Sequence, residues 1–261
     1  MLFGIHAAVA LITLLAALTL HEFYTLTEQL GAKPFRWLGV VFSVLMIATP
    51  YYVTVYLLDG EELPDLVPGL LALSVVLISI CILFFRDNTN RIESLVATVF
   101  GLLFVPFMLH YLVRLLLLNP EPANALALPL WVVAVSKFCD VGALLTGLAF
   151  GKHKMAPNIS PKKTWEGAVG GVLTSAGLGA GLAFFLPEYF PEAFTPLCAA
   201  LVGALLALIT IASDLIESAM KRRAAIKDTG ALIPGIGGAF DLTDSLILTA
   251  PAAYFIFLFL E

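Results

Sequence analysis

Residues 196–218 read PLCAALVGALLALITIASDLIES, and this stretch decides the fold. From Pro196 to Ser213 it carries no charge. A helix rises about 1.5 Å per residue, so about 20 apolar residues cross the roughly 30 Å hydrocarbon core of a bilayer. The run ends in Asp214 and Glu217, and Lys221, Arg222 and Arg223 follow. Moving outward, seven more apolar runs fall at about 2–20, 37–58, 66–85, 94–118, 126–150, 168–186 and 244–260. The pattern predicts an all-α, polytopic integral membrane protein with about eight transmembrane helices. Residues 1–125 hold about four N-terminal spans. Residues 126–261 form a C-terminal region that carries the chemistry, with cytoplasmic loops at 151–167 and 219–243.

Composition points the same way. Of the 261 residues, 60% are hydrophobic and 13% charged, against about 45–50% and about 25% in soluble chains. Mean hydropathy is +0.98. Soluble and intrinsically disordered classes are excluded, and a net charge of −5 leaves no bulk basic surface for nucleic acid. Cys81, Cys139 and Cys198 lie far apart without a CxxC pair and read as packing residues. The run Leu2–Leu20 lacks a basic leader and is too long for a signal core, so it is expected to stay as the first span.

The charges sort by loop. The odd loops hold Lys33 and Arg36, Arg86 and Arg91, then Lys152, Lys154, Lys162 and Lys163, then Lys221, Arg222, Arg223 and Lys227. The even loops hold only acids: Asp59, Glu61, Glu62 and Asp65, then Glu121, then Glu188 and Glu192. Lys and Arg near span ends stay cytoplasmic, which places the odd loops inside and both termini outside. His21-Glu22 and His153 fall near span ends and read as interfacial.

Some charges fall within or beside spans. Arg114 can snorkel from the outer end of the fourth. Lys137 and Asp140 share one face about halfway along the fifth, where each charge costs about 2.5–3.5 kcal/mol. Asp140 reads as lining a polar cavity; Lys137 is either its neutralising partner or a second wall residue. Asp214 and Glu217, then Asp241 and Asp244, are two acid pairs flanking one basic loop. Carboxylates with room for water and phosphate oxygens suit Mg²⁺. Beside them, Lys221 to Lys227 offer cations, and Pro234, Gly235, Gly237 and Gly238 form a turn whose amides can face an anion. Metal, cations and amides together suit a polyphosphate. In Ser160-Pro161-Lys162-Lys163, Ser followed by Pro predicts a helix N-terminus from which both lysines project toward an anion.

In order and spacing, Ser218-x-x-Lys221-Arg222, Lys227-Asp228-x-Gly230, Ile233-Pro234-Gly235-x-Gly237-Gly238 and Asp241-x-x-Asp244 resemble the signature of the phosphatidate cytidylyltransferases, the CDP-diacylglycerol synthases. Asp140 with Gly142-Ala143 and Gly147, then Gly151-Lys152 and Ile159-Ser160-Pro161-Lys162-Lys163-Thr164-x-Glu166-Gly167, is similar to the family's other hallmark. The resemblance runs from about Asp140 to Ser245. Two positions depart from it. Ile236 stands where the family has His, and Leu242 where it has Arg, which marks a divergent member and removes one titratable donor and one cation.

The resemblance implies transfer of a cytidylyl group from CTP to phosphatidic acid, giving CDP-diacylglycerol and pyrophosphate, at the cytoplasmic face of the cell membrane. It implies Mg²⁺ on Asp214, Asp241 and Asp244, with room for a second, monovalent cation. Lys227 and Asp228 join Asp214 and Asp241 as catalytic residues. Ser160, Lys162, Lys163, Ser218, Lys221, Arg222, Gly237, Gly238 and Asp140 fall to substrate binding. CTP, a lipid phosphate and membrane lipids are the expected partners, with a homodimer as an option and no nucleic acid. The alternatives are another lipid phosphate as acceptor, a non-catalytic lipid- or nucleotide-binding protein, and an ion-coupled transporter. Against the last, the charges gather at one face, and no matched pair of broken helices stands out.

Overall fold

A computed structural model of the protein describes residues 2–57, 66–85, 91–118, 124–226, 229–230 and 237–260. Its helices are α1 (Leu2–Gln29), α2 (Arg36–Leu57), α3 (Leu66–Phe85), α4 (Arg91–Phe104), α5 (Pro106–Leu118), α6 (Ala127–Phe150), α7 (Trp165–Phe185), α8 (Pro196–Arg223) and α9 (Ala239–Leu258). Strands β1 (Lys154–Ala156) and β2 (Ser160–Thr164) pair antiparallel between α6 and α7. Among the described residues eight helical spans are long and apolar enough to cross a membrane, α4 and α5 together making one. The chain is an all-α integral membrane protein. Trp37, Leu148 and Phe185 stand exposed because the solvent for those faces is lipid.

The spans lie where the apolar runs predict, but three helices outrun them. α1 continues to Gln29, so His21 and Glu22 lie within it; α8 continues to Arg223, taking Lys221 and Arg222 out of the loop; α9 begins at Ala239, so Asp241 and Asp244 ride on its first turns. Hydropathy marks the hydrocarbon thickness, whereas helical hydrogen bonding continues into the headgroup layer. The fourth span breaks at Val105, because Pro106 has no N–H to continue the ladder.

The chain divides into two compact units: Leu2–Arg114 with Arg223–Thr243, and Leu115–Arg222 with Asp244–Glu261. In the first, fully buried Tyr24 on α1 donates its hydroxyl to the Thr98 carbonyl at 3.0 Å. Gly101 makes room for that ring, since a Cβ there would stand 2.5 Å from Tyr24 Cε1. Phe23 packs edge-on against Phe240 at 5.9 Å, docking α1 on the start of α9.

In the second unit, α7 packs closely along α6 through glycine. A Cβ on Gly171 would lie 2.8 Å from the Cys139 carbonyl, and one on Gly167 2.8 Å from that of Ala143. Gly179 gives the same room to Trp131, whose ring is wedged edge-on against Phe194 at 5.0 Å and Phe257 at 5.8 Å. Gly170, Gly171 and Gly179 are thus glycines of α7 against which neighbouring atoms pack closely; a Cβ on Gly170 would collide with Thr146 Oγ1. At Gly177 and Gly181 an added Cβ would meet no described atom within 4 Å, so these two take no part in that packing. Gly171→Leu should destabilise the protein by at least about 1–3 kcal/mol through overpacking against rigid backbone. A melt in detergent should show a clear drop for Gly171→Leu and little change for Gly177→Leu.

Candidate functional site

Four elements of the second unit bring charge together. Along α6 the apolar sequence is interrupted by Lys137 and Asp140, three residues apart and so on one face. Lys137 Nζ donates to Ser245 Oγ at 2.7 Å and stands 3.7 Å from Asp244 Oδ1 and 4.0 Å from Asp140 Oδ2. Lys137 thus serves both acids, and its strongest bond is to a hydroxyl on α9.

The β1–β2 hairpin replaces the helix N-terminus expected at Ser160-Pro161. α7 starts later: the Thr164 hydroxyl accepts from Gly167 N–H at 3.1 Å and is the N-cap. Upstream, the backbone is committed to strand pairing, with Lys154 opposite Thr164 and Ala156 opposite Ser160. The hairpin is closed at its base by Glu166, which accepts from the amides of Lys152 and His153 at 3.2 Å and meets His153 Nδ1 at 2.5 Å. Lys162 and Lys163 therefore extend from a strand. Lys162 is exposed; Lys163 turns inward and places Nζ 2.5 Å from Asp214 Oδ2. Arg222 spends its Nε on the Ile159 carbonyl at 3.2 Å, tying the end of α8 to the hairpin turn.

A cavity of about 220 Å³ opens among these groups, lined by Asp140, Lys162, Lys163, Thr164, Gly167 and Asp214 with apolar neighbours. Beside it, Asp214, Glu217 and Asp244 each offer one carboxylate oxygen, all within 4.8 Å of one another. Glu217, which the motif leaves unassigned, is only 2% exposed, and its Oε1 lies 2.6 Å from Lys221 Nζ. Each acid of the cluster has its own lysine: Lys163 on Asp214, Lys221 on Glu217, Lys137 on Asp244. Charges taken out of water need such partners, since an unpaired one costs several kcal/mol. Ser218 Oγ approaches Asp214 Oδ1 at 3.5 Å, and Ser213 donates its hydroxyl to the Asp244 carbonyl.

The donor set fits Mg²⁺. That ion takes hard oxygens at about 2.0–2.1 Å in octahedral array, so ligand oxygens lie about 3–4 Å apart. The three carboxylate oxygens, all within 4.8 Å of one another, are of that hard type.

Asp241, Gly237 and Gly238 belong to the first unit. There Asp241 Oδ2 accepts from Gly238 N–H at 2.8 Å and from Thr229 N–H at 3.2 Å, and the Thr229 hydroxyl oxygen lies 3.1 Å away. Gly237 has φ +122°, and a Cβ on it would stand 2.6 Å from the same oxygen, so this turn requires glycine. Lys227, Asp228, Pro234, Gly235 and Ile236 lie outside the described residues, as do Arg86 and the acids Asp59 to Asp65 and Glu121.

The sequence pairs Glu217 with Asp214 by spacing but gives it no place among the expected metal ligands, and the structure sets it in the acid cluster. Sequence reasoning missed Glu22, whose Oε2 accepts from Phe240 N–H at 2.9 Å and from the Thr229 hydroxyl at 3.0 Å. No local pattern in α1 distinguishes that residue from an interfacial acid.

A protein of Mycobacterium bovis named phosphatidate cytidylyltransferase is 34% identical over 167 residues, 64% of this chain and 52% of its own length. One so named from Rickettsia felis is 40% identical over 60% of this chain and 68% of its own. Another from Synechocystis is 31% identical over 94% of this chain and 86% of its own. The chain spans about half the length of the mycobacterial relatives it matches. The cytidylyltransferase family model matches residues 1–260, so the likeness extends well beyond the C-terminal signature into the N-terminal spans. With paired acids, hairpin lysines and membrane helices all within that match, the chain belongs to the cytidylyltransferase family.

Proposed function

We propose that the protein transfers a cytidylyl group from CTP to phosphatidic acid, releasing pyrophosphate and forming CDP-diacylglycerol. The observation that carries this reading is that Lys162 and Lys163 of the hairpin and Asp214 of α8 line one cavity, with Glu217 and Asp244 clustered about Asp214 beside it. At about 220 Å³ the cavity is smaller than the roughly 300–1,000 Å³ that encloses a drug-sized ligand, and suits the phosphate end of a nucleotide.

In the reaction a phosphate oxygen of the lipid attacks the α-phosphorus of CTP. The new P–O bond forms as the bond to the β-phosphate oxygen breaks, and pyrophosphate leaves with that electron pair. No covalent enzyme intermediate is needed, so the protein's work is positioning and charge stabilisation. Lys163 and Lys162 take phosphate oxygens, Lys163 exchanging its bond to Asp214 for one to the substrate. Asp214, Glu217 and Asp244 would hold Mg²⁺, which when bound neutralises charge on the phosphates. Asp140 shapes the cavity wall, and Lys137 keeps Asp244 and Asp140 from repelling each other. Asp241 is assigned to the metal on the signature alone. The basic hairpin and the basic end of α8 support a site that opens to the cytoplasm.

Purified full-length protein in detergent should release one pyrophosphate per CDP-diacylglycerol formed from CTP and phosphatidic acid with Mg²⁺. Turnover of only a different lipid phosphate would keep the reaction and change the acceptor. A broad screen of lipid phosphates in which none yields pyrophosphate would overturn the proposal, and ion flux in proteoliposomes without nucleotide would favour a transporter.

A further inference from the structure

We propose that Glu22, on the first transmembrane helix, is a positioning residue that sets the segment presenting Asp241. α1 meets the start of α9 along one stripe, at Thr19, Glu22 and Phe23, the i, i+3, i+4 spacing of a helical face. The Thr19 hydroxyl donates to the Ala239 carbonyl at 3.2 Å and lies 2.9 Å from that of Thr243, while Phe23 stacks edge-on against Phe240. Between them Glu22 Oε2 accepts from Phe240 N–H at 2.9 Å. An N-terminal amide of α9, which has no partner within its own helix, is thus capped from another helix by an anion, where the helix dipole favours one.

The same oxygen accepts from the Thr229 hydroxyl at 3.0 Å, and Asp241 Oδ2 lies 3.1 Å from that hydroxyl. Thr229 N–H and Gly238 N–H then converge on Asp241 Oδ2. Glu22 is also pressed against the two glycines of this segment. A Cβ on Gly238 would stand 2.6 Å from Glu22 Cδ, and one on Gly230 2.8 Å from it. Glycine at 230 and 238 is therefore a fit to Glu22, and the three residues form one built contact. The Glu22 carboxylate fixes Thr229, Gly230, Gly238 and Phe240 together, and of these Thr229 and Gly238 hold the Asp241 carboxylate through their amides.

The catalytic consequence rests on the reading of Asp241 as a metal ligand; the positioning itself does not. Two measurements on full-length protein in detergent keep them apart. The first is amide hydrogen exchange at single-residue resolution, with neither substrate nor metal. Glu22→Ala should speed exchange at Thr229, Gly238 and Phe240 by at least about tenfold, leaving Leu128 to Trp131 unchanged, and Glu22→Gln, which keeps an acceptor oxygen and the shape, should recover most of the protection. Unchanged exchange at these amides in Glu22→Ala, or equal acceleration across the whole chain, overturns the inference.

The second is turnover against Mg²⁺ concentration. Groups that orient a metal ligand typically account for about 10–100-fold in metal affinity or activity. Glu22→Ala should raise the half-saturating Mg²⁺ by about tenfold or more, with the half-saturating CTP moved less than about threefold, and Glu22→Gln should restore most of the loss. Glu22→Gln as impaired as Glu22→Ala in both measurements would overturn hydrogen-bonded placement as the cause and leave the charge alone. Full activity in Asp241→Asn alongside the exchange effect would sink the metal reading and leave Glu22 as a positioning residue of the segment.

Discussion

Asp214→Asn is expected to cut pyrophosphate release by at least about 10³-fold while the protein stays folded. An intramembrane metal clamp contributes several kcal/mol of transition-state charge stabilisation, and each 1.36 kcal/mol is a factor of ten in rate. Asp214 is the acid common to the two halves of the site: it belongs to the Asp214–Glu217–Asp244 cluster, and it lines the cavity with its Oδ2 2.5 Å from Lys163. The substitution is nearly isosteric but removes the charge that attracts a divalent ion. Stability should fall moderately, because the buried Lys163 Nζ loses its charged partner while Asn keeps the shape and a polar oxygen beside it. A protein that still melts cooperatively above the assay temperature together with lost turnover is the expected pattern. Undiminished turnover would remove Asp214 from the metal site.

Lys163→Met should lower turnover by about 10²–10³-fold, the usual loss when one fixed group aimed at developing charge is removed. Met keeps the length and apolar stem of lysine and deletes only the ammonium. At rest that ammonium is held by Asp214, so Lys163 is pre-aimed at the cavity and no side-chain search precedes substrate binding. Lys163→Arg keeps the charge but changes a compact point donor to a planar fork, and should recover part of the rate. Lys162→Met should cost less, because Lys162 lies at the exposed rim where water screens its field. Equal, small effects at both lysines would mean that the hairpin serves membrane topology and not phosphate binding.

Much of the fold was legible because a bilayer imposes one dominant constraint. A crossing needs about 20 apolar residues, and basic residues beside it stay inside. Both rules act locally, so span number and the alternation of loop charge could be read along the chain. The helix ends were less legible. The headgroup region tolerates polar helix, so α1 and α8 run on through His21 to Gln29 and through Lys221 to Arg223 without any hydropathic sign. The hairpin was hidden by a competing local signal. Ser160-Pro161 looks like a helix start, whereas Thr164, two residues before Glu166, holds the cap because the preceding residues pair as strands.

The site shows the same division. Asp140, Lys162, Lys163, Asp214 and Asp244 could be picked out by residue type, because charge within a membrane is costly and is kept only for a reason. Their roles could not. That Lys163 faces Asp214, that Lys137 bridges Asp244 and Ser245, that Glu217 completes an acid cluster, and that Glu22 on the first helix holds the segment beside Asp241 each depend on helices far apart in sequence. The sequence by itself determined where the chain crosses the membrane and which residues carry charge there, because insertion energy is a sum over local residues. Only the tertiary structure decided which charges meet, because pairing energy falls off within a few ångströms and is set by how glycine-lined helices pack.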